Sequence, residues 1–356
     1  MIKIERRRGR LLIHLLNRWK LEWTVEPRYW RNPLIVVTLW LCLPLLLPLM
    51  PRGLFISPLT LLTAFFMANI VAVCALTLTL QVVGTGRFNF GIPFFVVTGG
   101  YVAALLDKNY GLGPALTLPA AFAVGALVGL ALSPLTIIAR GVYFCLITLI
   151  LPLVLHELVF WRVDIFGAET GIPGVSKLVS TGDLMQDCLF GFYMSFAILI
   201  VILFIVDKVL RSRLGLMFAT ILEDEDVAAS FGIETKKIKV VIFTLTCGLL
   251  AIPGWFIAHY YASFAGTAWL EPWLLILVLL AFAIGGRGAA YSSVLGAYFV
   301  VILREILRAF IMEAALMTLY IILFAVFYVL PHGLWGLYRP PRYREYVAYI
   351  SIRKKT

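Results

Sequence analysis

Charged residues are scarce in this chain. Of its 356 residues, 14% are charged, 62% are hydrophobic, and the mean hydropathy is +0.97. A water-soluble protein of this size needs a polar surface that so few charges cannot supply. Apolar runs of about 18 to 25 residues recur, each long enough to cross a bilayer as a helix. The composition therefore predicts an all-α integral membrane protein that crosses the bilayer many times.

Sequence patterns that carry catalysis are missing as well. The sequence contains no G-x-x-x-x-G-K-[ST], H-E-x-x-H, C-x-x-C or G-x-S-x-G. His156 and Glu157 are adjacent, but Trp161 and Arg162 follow them, which favours anchoring at a membrane interface. The aromatic belt of a membrane protein likewise explains His259. We predict that the chain is not an enzyme and holds no metal ion.

The five cysteines form neither a disulfide framework nor a metal-binding spacing, because they are scattered and odd in number. We interpret them as small packing residues. The N-terminus is basic for more than thirty residues before the first apolar run, with no small-residue cleavage site after that run. The sequence therefore predicts a retained first span rather than a secretory signal.

The net charge of +11 is concentrated beside apolar runs: at the N-terminus, in 208–213, in 236–239 and in 339–355. This distribution follows the positive-inside rule and favours membrane topology over a nucleic-acid partner. It predicts a basic cytoplasmic segment (1–33), a transmembrane domain (34–331) and a basic cytoplasmic tail (332–356). The predicted domain has about ten spans, near 34–51, 57–82, 92–106, 113–133, 141–161, 188–209, 239–262, 271–286, 290–310 and 315–331.

Two segments between spans leave alternatives open. Residues 162–187 are polar and turn-rich, and they form either an ordered external surface for a partner or a mere connector. Residues 84–93, "GTGRFNFGIP", contain three glycines and a proline together with Arg87 and Asn89. They form either a cytoplasmic turn or a helix break inside the bilayer, and a polar break of that kind is a candidate for a substrate path.

Residues 211–238 contain four adjacent acids at 223–226. The spacing of Phe218, Ile221 and Leu222 predicts one helical stripe, and Gly232 is placed to end a second short helix. We expect the four acids at the start of that second helix, where carboxylates favour the positive end of the helix dipole. A solvated charged connector is the alternative.

This segment resembles the cytoplasmic motif of permeases from branched-chain amino acid ABC transporters, particularly the LivM type. Such relatives carry a stretch like S-R-x-G-R-A-x-x-A-I-R-E-D-E-x-A-A-x-x-x-G-I. The residues of "SRLGLMFATILEDEDVAASFGI" that match it are Ser212, Arg213, Gly215, Ala219, Ile221, Glu223, Asp224, Glu225, Ala228, Ala229, Gly232 and Ile233.

Further stretches resemble the same family in the same order, and together they cover about residues 60 to 310. They are "GTGRFNFGIPFFVVTGGYVAALL" (84–106), "RGVYFCLITL" (140–149), "AHYYASF" (258–264) and "GGRGAAYSSVLGA" (285–297). Asn89 departs from the family, which usually has serine there, and so does Leu153, where many relatives have a carboxylate. These departures leave open whether the solute is a branched-chain amino acid or a related small polar molecule.

The resemblance implies a permease subunit of an ABC importer in a prokaryotic plasma (inner) membrane, with both termini cytoplasmic. Its partners would be membrane lipid, a homologous permease subunit, an external substrate-binding protein and two cytoplasmic ATPase subunits, which bind the ATP and Mg²⁺ that this chain does not. A stand-alone secondary transporter or channel is the alternative.

The resemblance also assigns residues to two roles. Those expected in ATPase coupling are Leu222, Glu223, Asp224, Glu225, Asp226, Ala228, Ala229, Gly232 and Ile233. Those expected on the substrate path are Gly84, Gly86, Arg87, Asn89, Gly91, Tyr101, Tyr143 and Thr148. Residues 211–238 are therefore named the coupling segment below.

Overall fold

The computed structural model describes residues 3–7, 10–15, 19–24, 57–139, 141–286, 290–311 and 314–329. The chain divides into two compact units, residues 1–58 and 59–356. The first unit contains an antiparallel meander of β1 (Lys3–Arg7), β2 (Arg10–Leu15) and β3 (Trp19–Thr24). In its register Ile4 is opposite Ile13 and Leu11 is opposite Trp23. The sequence predicted a basic segment here without strands, so this meander is an addition to the predicted architecture.

The second unit is helical. Its helices are α1 (Pro58–Thr85), α2 (Ile92–Tyr110), α3 (Pro114–Leu132), α4 (Leu135–Ile138), α5 (Val142–Trp161), α6 (Val163–Phe166), α7 (Leu184–Leu210), α8 (Arg213–Glu223), α9 (Glu225–Ser230), α10 (Thr235–Tyr261), α11 (Gly266–Leu270), α12 (Pro272–Gly285), α13 (Ala290–Ile311) and α14 (Ala315–Val329). Two short strands, β4 (Ile172–Pro173) and β5 (Ser263–Phe264), pair antiparallel.

The long helices follow the predicted spans from 57–82 onward to within a few residues. Within the described residues, length and composition make α1, α3, α5, α7 and α10 able to cross a membrane, and α12 is a shorter apolar helix. The chain is thus a multi-pass membrane protein, although these criteria do not establish the predicted total of ten spans. The predicted first span (34–51) and the tail (332–356) lie outside the described residues.

Helix α10 packs between α2 and α3 through small residues. A Cβ on Gly254 would overlap the carbonyl oxygen of Val96 on α2, and one on Gly125 of α3 would lie 2.7 Å from the Ala251 Cβ. Helices without water between them associate mainly by such close van der Waals contact, which small residues allow. Glycine is therefore required at the α2–α10 crossing.

Helix α1 is buried among its neighbours and carries a row of buried polar side chains. The Asn69 amide donates to Ser195 Oγ of α7 at 2.9 Å and accepts from the Tyr298 hydroxyl of α13. Further along, the Thr246 hydroxyl of α10 donates to Gln81 Oε1 at 3.3 Å. Hydrogen bonds between helices fix their relative positions where apolar contact alone is unselective. These bonds join α1 to α7, α13 and α10.

The long helices alternate in direction, so their connections gather at two ends of the unit. The end that carries residues 86–91 and 211–234 is called the first end below. The end that carries 162–183 and 262–271 is called the second end. Helix α10 runs from the first end to the second, with Pro253 inside it.

Candidate functional site

The coupling segment forms two short helices, α8 and α9, before α10 begins at Thr235, so residues 235–238 belong to the long helix. The Ser212 hydroxyl accepts from the Leu214 N–H at 3.2 Å and caps α8. Phe218 and Ile221 are buried. Leu222 is 51% exposed, because the residue that follows Ile221 in a helix is turned about 100° away from it.

The four acids do not share one position. Asp224 is the N-cap of α9, where its carboxylate accepts from the N–H groups of Asp226 at 2.9 Å and Val227 at 3.1 Å. Glu225 and Asp226 occupy the first turn of α9, as predicted. Glu223 is instead the last residue of α8. The prediction that all four start the second helix is corrected for Glu223, because the N-cap is one residue later.

Gly232 ends α9 as the sequence predicted. Its φ is +80°, which favours glycine, and its N–H donates to the Ala229 carbonyl at 3.0 Å. The Ile233 N–H donates to the Ala228 carbonyl at 3.2 Å, which completes a Schellman motif. The chain therefore turns sharply between α9 and α10, and Ala228 packs fully buried beneath the turn.

Several large apolar side chains are exposed on α8, on α9 and on the turn that follows α9. The exposed large side chains are Leu214 (47%), Leu216 (62%), Leu222 (51%), Val227 (46%) and Phe231 (77%). Acidic residues interrupt this surface at the junction of the two helices. Large exposed apolar side chains that are bordered by polar residues are typical of a protein interaction site.

A salt bridge links this element to the helical unit. The Lys239 ammonium of α10 is paired with the Glu225 carboxylate of α9. Lys239 is buried, whereas the Glu225 side chain is 34% exposed. A buried ammonium requires a counter-charge, so the pair holds α9 to the start of α10.

Residues 86–91 connect α1 to α2 at the first end and lie beside α8. A Cβ on Gly86 would be 3.5 Å from Leu222 Cδ1, and a Cβ on Gly84 would overlap the Ile242 side chain of α10. The Arg87 guanidinium donates to the Thr136 carbonyl and lies 5.9 Å from the centre of the Phe144 ring. This turn therefore contacts both the coupling helices and the region around α4 and α5.

Thr148 of α5 anchors the same turn. Its hydroxyl accepts from the Phe90 N–H at 3.0 Å, and the Asn89 side-chain oxygen accepts from the Gly91 N–H at 2.8 Å. Asn89 is fully buried, and its side-chain nitrogen has no hydrogen-bond partner among the described residues. The segment 84–93 is therefore a turn enclosed by protein.

Tyr101 and Tyr143 lie at different ends of the helical unit. Tyr101 is buried at the second end, where its hydroxyl accepts from the Gly266 N–H at 3.2 Å. Tyr143 is 74% exposed on α5. The structure thus brings together Gly84, Gly86, Arg87, Asn89, Gly91 and Thr148 at the first end, where Tyr143 also lies with its side chain exposed, and it places Tyr101 at the second end. Their role on a substrate path stays a prediction.

A hydrogen-bond network that the sequence did not reveal closes the second end. The Asp107 carboxylate accepts from the N–H and the hydroxyl of Ser176, the latter at 2.6 Å. The Ser176 carbonyl is 2.7 Å from His259 Nδ1, and His259 Nε2 is 2.8 Å from the Thr117 hydroxyl, which accepts from the Trp255 indole at 2.9 Å. His259 is fully buried, so its assignment to an aromatic belt was wrong.

The connector between α5 and α7 is thereby packed onto the helices. Strand β4 pairs with β5, and the Val175 N–H donates to the Ala262 carbonyl at 3.1 Å. The segment ends at Asp183 rather than Asp187, because the Asp183 carboxylate accepts from the Met185 N–H at 3.1 Å and begins α7. Across the described ranges, no group of three His, Cys, Asp or Glu side chains is placed to hold a metal ion.

Comparisons of the sequence with known proteins find related permeases. A family model described as the permease component of a branched-chain amino acid transport system matches residues 60–330. Two curated relatives, both named high-affinity branched-chain amino acid transport system permease protein LivM, are 26% identical. The one from Salmonella typhimurium matches over 77% of this chain and 69% of its own length, and the one from Escherichia coli over 72% and 65%.

A third relative is more distant in source. It is a probable branched-chain amino acid transport permease protein, LivH, from Methanocaldococcus jannaschii, with 25% identity over 77% of this chain and 91% of the relative. No solved structure matches the chain.

Proposed function

Since the chain belongs to the family of branched-chain amino acid transport permeases, we propose that it is the membrane-spanning subunit of an ABC importer. It forms part of the path by which a branched-chain amino acid, or a related small polar solute, enters the cell. The chain itself carries out no chemistry, and ATP hydrolysis in other subunits supplies the energy.

The proposed assembly contains a homologous permease subunit, two ATPase subunits that bind ATP and Mg²⁺, and an external substrate-binding protein. It lies in the plasma membrane, the inner membrane of a Gram-negative cell, with both termini cytoplasmic. The first end then faces the cytoplasm and the second end faces outward. The curated relatives and the apolar helices support a multi-pass membrane protein.

The observation that carries the proposal is the construction of α8 and α9. Their backbone is fixed by the Asp224 cap and the Gly232 stop, yet several of their exposed side chains are large and apolar. A solvated connector would have no reason to combine a defined backbone with side chains such as Phe231 exposed to water. A groove on an ATPase subunit would cover them.

The salt bridge between Glu225 and Lys239 supports a route for coupling. When the ATPase subunits close on ATP, the docked α8 and α9 move with them. The salt bridge transfers that displacement to α10, and the contact between Leu222 and Gly86 transfers it to the turn between α1 and α2. ATP binding then shifts the equilibrium between outward and inward access, because the docked state makes different contacts in each.

The test compares two exposed aromatic residues at opposite ends. Phe231 on the coupling segment is 77% exposed, and Tyr110 at the second end is 74% exposed. Phe231→Gln should weaken retention of the ATPase subunits and lower ATP-driven uptake of leucine by about tenfold, as expected when an aromatic anchor of an interface is lost. Tyr110→Gln should leave both unchanged.

The measurements are co-purification through a tag on this chain and uptake into liposomes that contain the purified complex. Equal losses in Phe231→Gln and Tyr110→Gln would contradict ATPase docking at the first end. Leucine uptake by the chain alone, driven by an ion gradient and indifferent to ATP, would replace the proposal with a secondary transporter.

A further inference from the structure

The second end contains a cavity of about 230 Å³ that lies apart from both the coupling helices and the Asp107 network. Its wall comes from the first turns of α1, the end of α10, the α11–α12 corner and the last turns of α13. This volume is below the range of about 300–1,000 Å³ that is usual for drug-sized ligands. The cavity therefore suits a small molecule.

One wall of the cavity is charged. Arg304 and Arg308 are one turn apart on α13 and so share a face, with Glu305 also lining the cavity. Within the described ranges, none of these three residues has an ion pair. The wall thus offers two cations and one anion that other described side chains do not neutralise.

The neighbouring wall is aromatic. The Trp269 and Trp273 ring centres are 5.3 Å apart, and the Arg304 guanidinium lies 5.2 Å from the centre of the Trp273 ring. Stacking on an indole orients the planar guanidinium and leaves its N–H edge available for a carboxylate. Both tryptophans are half-buried, unlike Trp161 of the same end, which is 77% exposed.

We propose that this cavity binds a free α-amino acid as a zwitterion. Arg304 and Arg308 receive its carboxylate, Glu305 receives its ammonium group, and Trp269 and Trp273 cover an apolar side chain. Arginine matches a carboxylate with two parallel hydrogen bonds, which gives the site its orientation.

The charges of the wall argue for this class of ligand over simpler ones. Glu305 would repel a simple anion such as phosphate, and the two arginines would repel a simple cation. A zwitterion offers a partner to each charge. The proposed function places the second end on the outer side of the membrane. If the cavity receives the amino acid before transport, that role rests on the proposed function.

The experiment measures equilibrium binding of radiolabelled leucine. The full chain, with its co-purifying subunits, is placed in nanodiscs of phosphatidylcholine. Arg304→Gln should weaken leucine binding by about tenfold to a hundredfold, the effect expected for losing hydrogen bonds to a charged group. Arg304→Lys, which keeps the charge but loses the planar fork, should give a smaller loss.

Arg162→Gln is the matched control. Arg162 also lies at the second end and also stacks on a tryptophan, 5.7 Å from the Trp161 ring, but it does not line the cavity. The Arg162→Gln variant should therefore bind leucine as tightly as the wild type. Thermal unfolding of each variant in the same nanodiscs shows whether its fold is intact.

Two analogues of leucine separate the roles of the charges. Leucinamide, which lacks the carboxylate, should compete poorly with leucine on the wild type. The acid 4-methylpentanoate lacks the ammonium group, so its affinity should not fall in Glu305→Gln, whereas that of leucine should.

The outcomes distinguish this site from the proposed function. Undetectable leucine binding, or equal binding by wild type and folded Arg304→Gln, overturns the site even if ATP-driven leucine uptake persists. A complex that fails to import leucine but shows these binding differences overturns the proposed function and keeps the site. Loss of bound anionic lipid in Arg304→Gln, with leucine binding intact, would assign the arginines to a lipid headgroup instead.

Discussion

The two ends of the helical unit are built differently. At the second end, a connector is fastened to the helices by the Asp107–Ser176–His259 network and by the pairing of β4 with β5. At the first end, α8 and α9 are defined within themselves but present apolar side chains outward, and the Lys239–Glu225 salt bridge holds them to α10. Hydrogen-bonded polar groups hold the connector of the second end against the helices. The exposed apolar side chains of the first end are instead available for contact with another protein.

The largest effect on stability is expected at the crossing of α10, which runs from one end to the other, with α2. In Gly254→Ala, the new Cβ would overlap the Val96 carbonyl oxygen, and backbone cannot yield as a flexible side chain can. The free energy of unfolding should fall by about 3 kcal/mol, the upper range for overpacking. Gly113→Ala is the control, because an added Cβ there meets nothing within 4 Å.

Thermal unfolding and the yield of monodisperse protein measure both glycine variants. Similar stability of Gly254→Ala and Gly113→Ala would mean that α2 and α10 do not touch as described.

The next largest loss of stability is expected from the hydrogen bonds between Asp107 and Ser176 at the second end. Asp107→Ala leaves the N–H and the hydroxyl of Ser176 without their acceptor, which should lower the free energy of unfolding by about 2–3 kcal/mol. Asp164→Ala removes an exposed acid of the same connector and should change stability by less than about 0.5 kcal/mol. If hydrogen exchange near Ser176 were equal in both variants, the network would not hold the connector.

A smaller effect is expected at the salt bridge of the first end. Glu225→Gln should lower the free energy of unfolding by about 1–2 kcal/mol. This is less than the loss expected on breaking a fully buried salt bridge, because the Glu225 side chain is 34% exposed. Adding Lys239→Met removes the buried charge and should recover most of that stability. Both variants should transport fewer solute molecules per ATP hydrolysed. A double variant with normal coupling would remove the salt bridge from the route of transmission.

The smallest effect separates the four acids from one another. Asp224→Ala removes the N-cap of α9 and should destabilise that helix by about 1 kcal/mol. Hydrogen exchange at residues 226–230 should then be faster than in the wild type. Asp226→Ala should cost only a few tenths of a kcal/mol through the helix dipole. Equal exchange in the two variants would contradict the assignment of Asp224 as the cap.

Features that are determined by residues close together in the chain were predicted correctly from the sequence. Apolar runs gave the helices from 57 onward, and Gly232 was placed correctly because a helix stop is decided within a few positions. Partners far apart in sequence were missed: Asp107 lies 69 positions from Ser176, and Thr117 lies 142 from His259. No local pattern distinguishes such pairs from interfacial polar residues.

Pro253 gives α10 a mechanical property of its own. Proline has no N–H to donate to the carbonyl four residues earlier and bends a helix at that point. The 14 residues from Lys239 to Pro253 form an arm of roughly 21 Å at 1.5 Å per residue. A change of about 10° in the bend would displace Lys239 by roughly 4 Å while His259 stays in place. A bend at Pro253 would therefore move the start of α10 relative to the second end, and α9 with it through the Lys239–Glu225 salt bridge.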